Sequence, residues 1–131
     1  MHSFGAAPSL DDLAALAEAA FAALPEAVRK LTGEVLFRVE DFATDDVLEE
    51  LGLEDAFELT GLYQGVDIGR RSVLDPSPQP SMVFLYRRPI LDEWAERGDL
   101  ALEELVAHVL VHEIGHHFGL SDAQIAAIEA G

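Results

Sequence analysis

The sequence predicts an α+β fold: a small mixed sheet packed against one buried helix near the C-terminus, with further helices flanking it. Three observations carry this expectation. Apolar residues recur at helical spacing in several stretches bounded by capping residues. Two short runs, Val35–Val39 and Met82–Arg87, are β-branched and aromatic, as strands are. Between Leu105 and Val111 a long apolar-rich stretch is hydrophobic on nearly every face, so it belongs in the interior.

The elements follow in order. Ser9 reads as an N-cap with Asp12 at the third helical position, opening an amphipathic helix over residues 10–23. Pro25–Leu31 adds a further turn or two before Gly33. Val35–Val39 is the first strand, and Thr44 caps a short helix over Asp45–Leu51 that Gly52 ends. Leu59–Val66, with Gly61 and Gly65, reads as a short strand running into a turn. Asp75–Pro80 holds Pro76, Pro78 and Pro80 and is expected to be a loop. Met82–Arg87 is the clearest strand, and Pro89 confines it to an edge or to a strand end. At an edge, Val83–Arg87 would either offer its free side to an extended peptide or simply pack as an edge strand. Ile90–Arg97 is expected to be a helix stopped by Gly98. Asp99 reads as the N-cap of the longest helix, Leu100–Phe118, with Glu103 and Glu104 in its first turns. Gly119 ends it, and Ser121 with Gln124 forms a second capping box opening a helix to about Ala130.

Composition narrows the function. The chain has 131 residues, a length that suits one domain over 1–131, and half of them are hydrophobic. With no cysteine there is no disulfide, thiolate metal site or thiol nucleophile. The formal charge of −17 opposes nucleic acid and anionic membrane surfaces, both of which are held by Lys and Arg. No leader or membrane-spanning stretch is evident, so the expected setting is the cytoplasm.

Three of the five histidines lie within six residues, in His112-Glu113-Ile114-Gly115-His116-His117-Phe118-Gly119-Leu120-Ser121-Asp122. His112 and His116 stand one helical turn apart on one face and can converge on a single ion. Two imidazoles suit zinc, which needs a third protein ligand and an open position. Glu113 points ~100° around the helix, where a general base for the zinc-activated water belongs. Gly119 lets the chain leave the helix and turn back, which makes Asp122 the natural oxygen ligand. The plainer alternative for Asp122 is a helix-start residue favoured by the dipole. A bare H-E-x-x-H arises by chance about 0.02 times in a chain of this composition. Requiring Gly119 and Asp122 as well lowers that to about one in ten thousand, so the longer pattern carries the argument.

His117 lies ~140° from His112 and is expected to be a hydrogen-bonded structural residue. His108 lies one turn before His112, with a supporting or core role. Tyr63 and Tyr86 are candidates for donating to a developing oxyanion, against ordinary packing in strands.

The segment resembles zincin metallopeptidases of the H-E-x-x-H-x-x-G-x-x-H/D type. More of the chain is similar to a small bacterial family of minimal zincin-like metallopeptidases. The likeness takes in Gly61-Leu62-Tyr63-Gln64-Gly65-Val66, Phe84-Leu85-Tyr86-Arg87-Arg88-Pro89-Ile90 and His112 through Asp122. The resemblance implies a minimal zincin-like fold, one zinc held by His112, His116 and Asp122, Glu113 as base, and peptide or protein substrates. The chain departs from the larger metzincins, whose methionine turn lies downstream of the motif. Here 9 residues follow Asp122, and the only methionines are Met1 and Met82. That departure supports a second reading, a zinc-stabilised scaffold that binds a peptide or protein without cutting it. A metal-dependent endoribonuclease is the third class, since one bacterial family of these shares the ligand spacing. That pattern lacks the acid at Glu113, and a charge of −17 repels RNA.

Overall fold

The first helix opens with a reciprocal cap. Ser9 Oγ accepts from the Asp12 N–H at 3.1 Å, and Asp12 returns a carboxylate oxygen to the Ser9 N–H at 2.8 Å. The structure, a computed structural model, describes residues 7–64 and 81–130. The side chains of Asp122, Glu129 and Ala130 lie outside that description, as do the expected turn at Gly65–Val66 and the expected loop Asp75–Pro80.

The described elements run α1 (Leu10–Ala22), α2 (Glu26–Thr32), β1 (Val35–Glu40), α3 (Asp45–Leu51), a 3-10 turn (Ala56–Glu58) and β2 (Gly61–Gln64). They continue with β3 (Ser81–Tyr86), α4 (Arg87–Arg97), α5 (Leu102–His117) and α6 (Asp122–Ala130). This is the α+β composition expected, a small mixed sheet with helices packed around a central one. Among the described residues no helix is long and apolar enough to cross a membrane.

Strand order is β1-β3-β2. β1 runs parallel to β3, from Val35 opposite Ser81 to Glu40 opposite Tyr86. β2 runs antiparallel to β3, from Gly61 opposite Leu85 to Gln64 opposite Met82. The strand expected at Met82–Arg87 is therefore central, which corrects the edge reading and removes the peptide-docking edge expected there. Its residues suit that place, since a central strand covered on both faces needs no polar alternation. Pro89 obeys the strand-end reading instead. It is the third residue of α4, in the first helical turn, where backbone N–H groups have no intrahelical acceptor and a proline loses nothing.

The helix expected at Leu100–Phe118 starts two residues later. Its N-cap is Ala101, with no side-chain cap, so Asp99 does not serve as one. The preceding residue has another obligation: the half-buried Trp94 indole N–H donates to the Leu100 carbonyl at 2.8 Å. An indole donor held away from water needs such a partner. The second capping box forms as expected, with Ser121 Oγ accepting from the Gln124 N–H at 3.1 Å and Gln124 Oε1 from the Ser121 N–H at 2.7 Å.

α5 is the spine of the core. Leu105, Val106 and Leu110 are fully buried against Leu13 and Ala17 of α1, Val83 and Leu85 of β3, and Ile90 of α4. Burying each such aliphatic side chain is worth roughly 1.5–3 kcal/mol, so the helix that carries the histidines is among the best anchored elements. A smaller cluster of Ala43, Leu48 and Tyr86 lies under α3 and the 3-10 turn. Arg87 ties the two regions, its guanidinium donating to the Pro8 carbonyl and to Asp41 at 3.1 Å.

Candidate metal centre

The last two turns of α5 present His112 and His116, and the way this helix ends decides what can meet them. Gly119 takes φ +68°, the left-handed conformation that side chains resist. The Leu120 N–H then reaches back to the Gly115 carbonyl at 2.8 Å, and the Gly119 N–H to the His116 carbonyl at 3.3 Å. These paired bonds are the Schellman closure of a helix C-terminus. The chain reverses within three residues, and α6 opens at Asp122 with its axis folded against α5.

α6 is seated by a notch. A Cβ on Gly115 would lie 2.6 Å from Ile125 Cδ1 and 2.7 Å from its Cγ1, so only glycine admits that side chain. A helix-interior glycine costs about 1 kcal/mol relative to alanine. Its presence inside the His-Glu-Ile-Gly-His run is a sequence signal of close approach that spacing arguments about ligands pass over.

The His112 and His116 rings lie 5.7 Å apart between centroids and are nearly perpendicular, at 86°. Two imidazoles sharing one tetrahedral ion, each with N–metal about 2.0–2.1 Å, place their ring centres about 5 Å apart. The pair thus fits a shared ion. Among the described residues no group of three His, Cys, Asp or Glu side chains assembles. The third expected ligand, Asp122, has its backbone at the first residue of α6, while its side chain lies outside the described residues. His108 extends the same face by one turn, its ring 4.2 Å from that of His112.

Glu113 is half-buried and turned toward β2. A Cβ on Gly61 would lie 3.3 Å from Glu113 Cγ and 2.8 Å from Val109 Cγ1, so the bare backbone of Gly61 brings β2 close to α5. Burial pushes the Glu113 carboxyl above its ordinary value of 4.5, while the His116 ring and the Tyr63 main-chain N–H act in the opposite direction. β2 pairs with β3 on one side only among the described residues. The Tyr86 N–H donates to the Thr60 carbonyl at 3.0 Å, so in the alternating antiparallel pattern the main-chain groups of Gly61 and Tyr63 face away from β3. Among the described residues, the side of β2 turned away from β3 therefore adjoins Glu113.

The other sequence candidates resolve into packing. The Tyr63 hydroxyl is buried with no hydrogen-bond partner among the described residues, and its ring lies 4.2 Å from His117 and 5.8 Å from Phe118. Burial raises its pKa, and Ser81 tempers the rise without meeting hydrogen-bond geometry. Tyr86 is 1% exposed in the smaller cluster, and burial, with Glu40 and Glu113 adding, pushes its hydroxyl up to about 12. Neither hydroxyl is exposed to reach a substrate oxyanion, so the packing reading of both holds. His117 is exposed and makes ring contacts to Tyr63 and Phe118, with no hydrogen bond to it among the described residues. Beside His108 opens a mostly apolar groove of about 560 Å³, lined by Leu24, Leu100, Ala107, Val111 and Ile128 among others.

A family model described as zincin-like metallopeptidase matches residues 32–131, from the end of α2 to the last residue. The chain belongs to that family, and its α+β architecture is the zincin-like one. No curated protein matches the sequence. Family membership points to a zinc metallohydrolase and implies zinc as the metal.

Proposed function

We propose that this protein is a zinc-dependent metallopeptidase, holding one zinc per chain through His112, His116 and Asp122, with Glu113 as general base. The observation that supports this most is the pairing of two near-perpendicular imidazoles, 5.7 Å apart, with a half-buried carboxylate one residue on. When bound, zinc supplies a Lewis acid that makes water nucleophilic near neutral pH and polarises a carbonyl. His112 and His116 hold the ion from one helix face. Asp122 would add an oxygen donor from the start of α6. Glu113 would take the proton of the water at its carboxylate and return it to the leaving amine nitrogen. The outward main-chain groups of Gly61 and the Tyr63 carbonyl, with the Tyr63 N–H engaged by Glu113, can align an extended peptide beside that carboxylate by strand addition. The substrate is thus a peptide or protein segment rather than nucleic acid or membrane, and the setting that goes with this reading is the bacterial cytoplasm.

Glu113→Gln tests the assignment. It should keep the metal and abolish hydrolysis of a diverse peptide library, and retained turnover in that variant would sink the role of Glu113.

A second reading, a zinc-stabilised scaffold that binds peptides without cutting them, is favoured by the methionine placement. Met82 lies in β3 and lines a groove with Glu18, Phe21 and β1, so it forms no turn after the histidine helix. Binding of library peptides by the zinc-loaded protein, with no new termini generated, selects this reading over the first.

A further inference from the structure

Away from α5, the segment from Glu40 to Glu58 holds nine carboxylates and no Lys, Arg or His. Seven of these, between Asp45 and Glu58, are exposed and have no basic partner among the described residues. In their midst two large aromatics face water: Phe42 is 36% exposed and Phe57 43%. Their rings meet edge to face with centroids 5.0 Å apart, forming one apolar knob rather than two scattered side chains. α3 and the 3-10 turn that flank the knob are each fixed by caps, Thr44 Oγ1 accepting from the Val47 N–H at 3.3 Å and Asp55 from the Phe57 N–H at 2.9 Å. Beneath them lies the cluster of Ala43, Leu48 and Tyr86, so the aromatics stand on packed ground.

We propose that this surface docks a basic protein segment carrying apolar anchors. Charge complementarity sets the choice of occupant. A second copy would bring the same carboxylates to the contact and a net charge of −17 to the encounter. Nucleic acid and anionic lipid are repelled for the same reason. A Lys/Arg-bearing segment is steered in by the unpaired acids, and its apolar side chains cover the Phe42–Phe57 knob, with aromatic residues at the centre of the contact and charges at its rim. The surface uses no residue of the candidate metal centre, so the proposal stands apart from the peptidase reading.

The test is a titration of the full chain with a fluorescent amphipathic helix of leucine and lysine, about 18 residues long or five turns. A lysine–serine peptide of the same length and charge serves as the charge-only probe, and mass measurement confirms that each probe stays intact. The leucine–lysine probe should bind saturably, one per chain, and about tenfold or more tighter than the lysine–serine probe. Phe42→Ser/Phe57→Ser should weaken the leucine–lysine probe about tenfold or more, as loss of central aromatic contacts does. Should that variant melt early, neutralising Asp45, Asp46, Glu49 and Glu50 to their amides provides the independent variant, which should weaken the same probe and flatten its salt dependence. Equal binding of the two probes, unchanged binding in the variants, or the absence of saturation each overturns the proposal.

Discussion

Ile125 of α6 fills the notch that Gly115 leaves in α5, its Cδ1 2.6 Å and its Cγ1 2.7 Å from where a Gly115 Cβ would stand. Gly115 lies directly before His116 and three residues before the helix reverses, so this contact seats α6, which opens at Asp122, against the end of α5. The Schellman closure at Gly119 sets the direction of return, and the notch sets its depth.

Gly115→Ala should therefore destabilise the protein, although the same change in an open helix stabilises by roughly 0.5–1 kcal/mol. Overpacking of this kind costs typically about 1–3 kcal/mol. Because both Ile125 Cγ1 and Cδ1 are too close, rotation of the terminal methyl alone gives no relief. Ile125→Ala should rescue the variant, so that the double substitution is less harmful than the two losses added, as read from urea midpoints in a double-mutant cycle.

Gly61→Ala reports on the second close approach. The new methyl meets Val109 Cγ1 at 2.8 Å and Glu113 Cγ at 3.3 Å, so β2 must lift from α5 and Glu113 must shift. The expected outcome is a loss of about 1–3 kcal/mol in stability, with zinc content retained and peptide turnover lowered. Unchanged turnover at full zinc occupancy would show that Glu113 tolerates displacement and does no proton transfer at a fixed position.

The two tyrosines give a pH prediction. Tyr86 is pushed up to about 12 and Tyr63 is also raised, both chiefly by burial. A group whose folded pKa lies above its unfolded value favours the folded state fully below the unfolded value and loses that contribution as pH rises through the folded one. Stability should thus be flat in this respect below the ordinary value of 10 and should fall between 10 and about 12. Tyrosinate absorbance should rise later in the native protein than in urea, and Tyr86→Phe should remove most of the alkaline loss. Coincident native and denatured titrations would contradict the burial of both hydroxyls.

Trp94 offers a local check on the start of α5. Its indole N–H donates to the Leu100 carbonyl at 2.8 Å. Trp94→Phe removes that donor and should cost about 1 kcal/mol for the hydrogen bond, together with the loss of ring packing. Its circular dichroism should stay unchanged, because α5 itself begins after Leu100.

Several features were legible in the sequence because they are local. Ser9–Asp12, Thr44 and Ser121–Gln124 each announce a helix start through a side chain and a backbone N–H within four residues, and each forms as read. The pairing of β1 with β3 was not legible. It joins residues such as Val35 and Ser81 across a long crossover, and nothing within Met82–Tyr86 states which neighbours it will have. Asp99 misled as well: α5 opens after Ala101 with no side-chain cap, and the Leu100 carbonyl just before it accepts from the Trp94 indole. At the site, the spacing of His112, Glu113 and His116 foretold that the two rings would share a face. The supports at Gly61 and Ile125 depend on contacts between separate elements, distant in sequence for Gly61 with Val109 and between neighbouring helices for Gly115 with Ile125, and emerge only from the fold.

The central claim is a single zinc held by two histidines and an aspartate. It is tested most directly by elemental analysis of the protein purified without added metal, beside Asp122→Ala. Near one zinc per chain in the parent, with loss or marked weakening in the variant, is the predicted result. A parent that stays empty in excess zinc at neutral pH, or an Asp122→Ala variant that holds zinc as tightly as the parent, would contradict it.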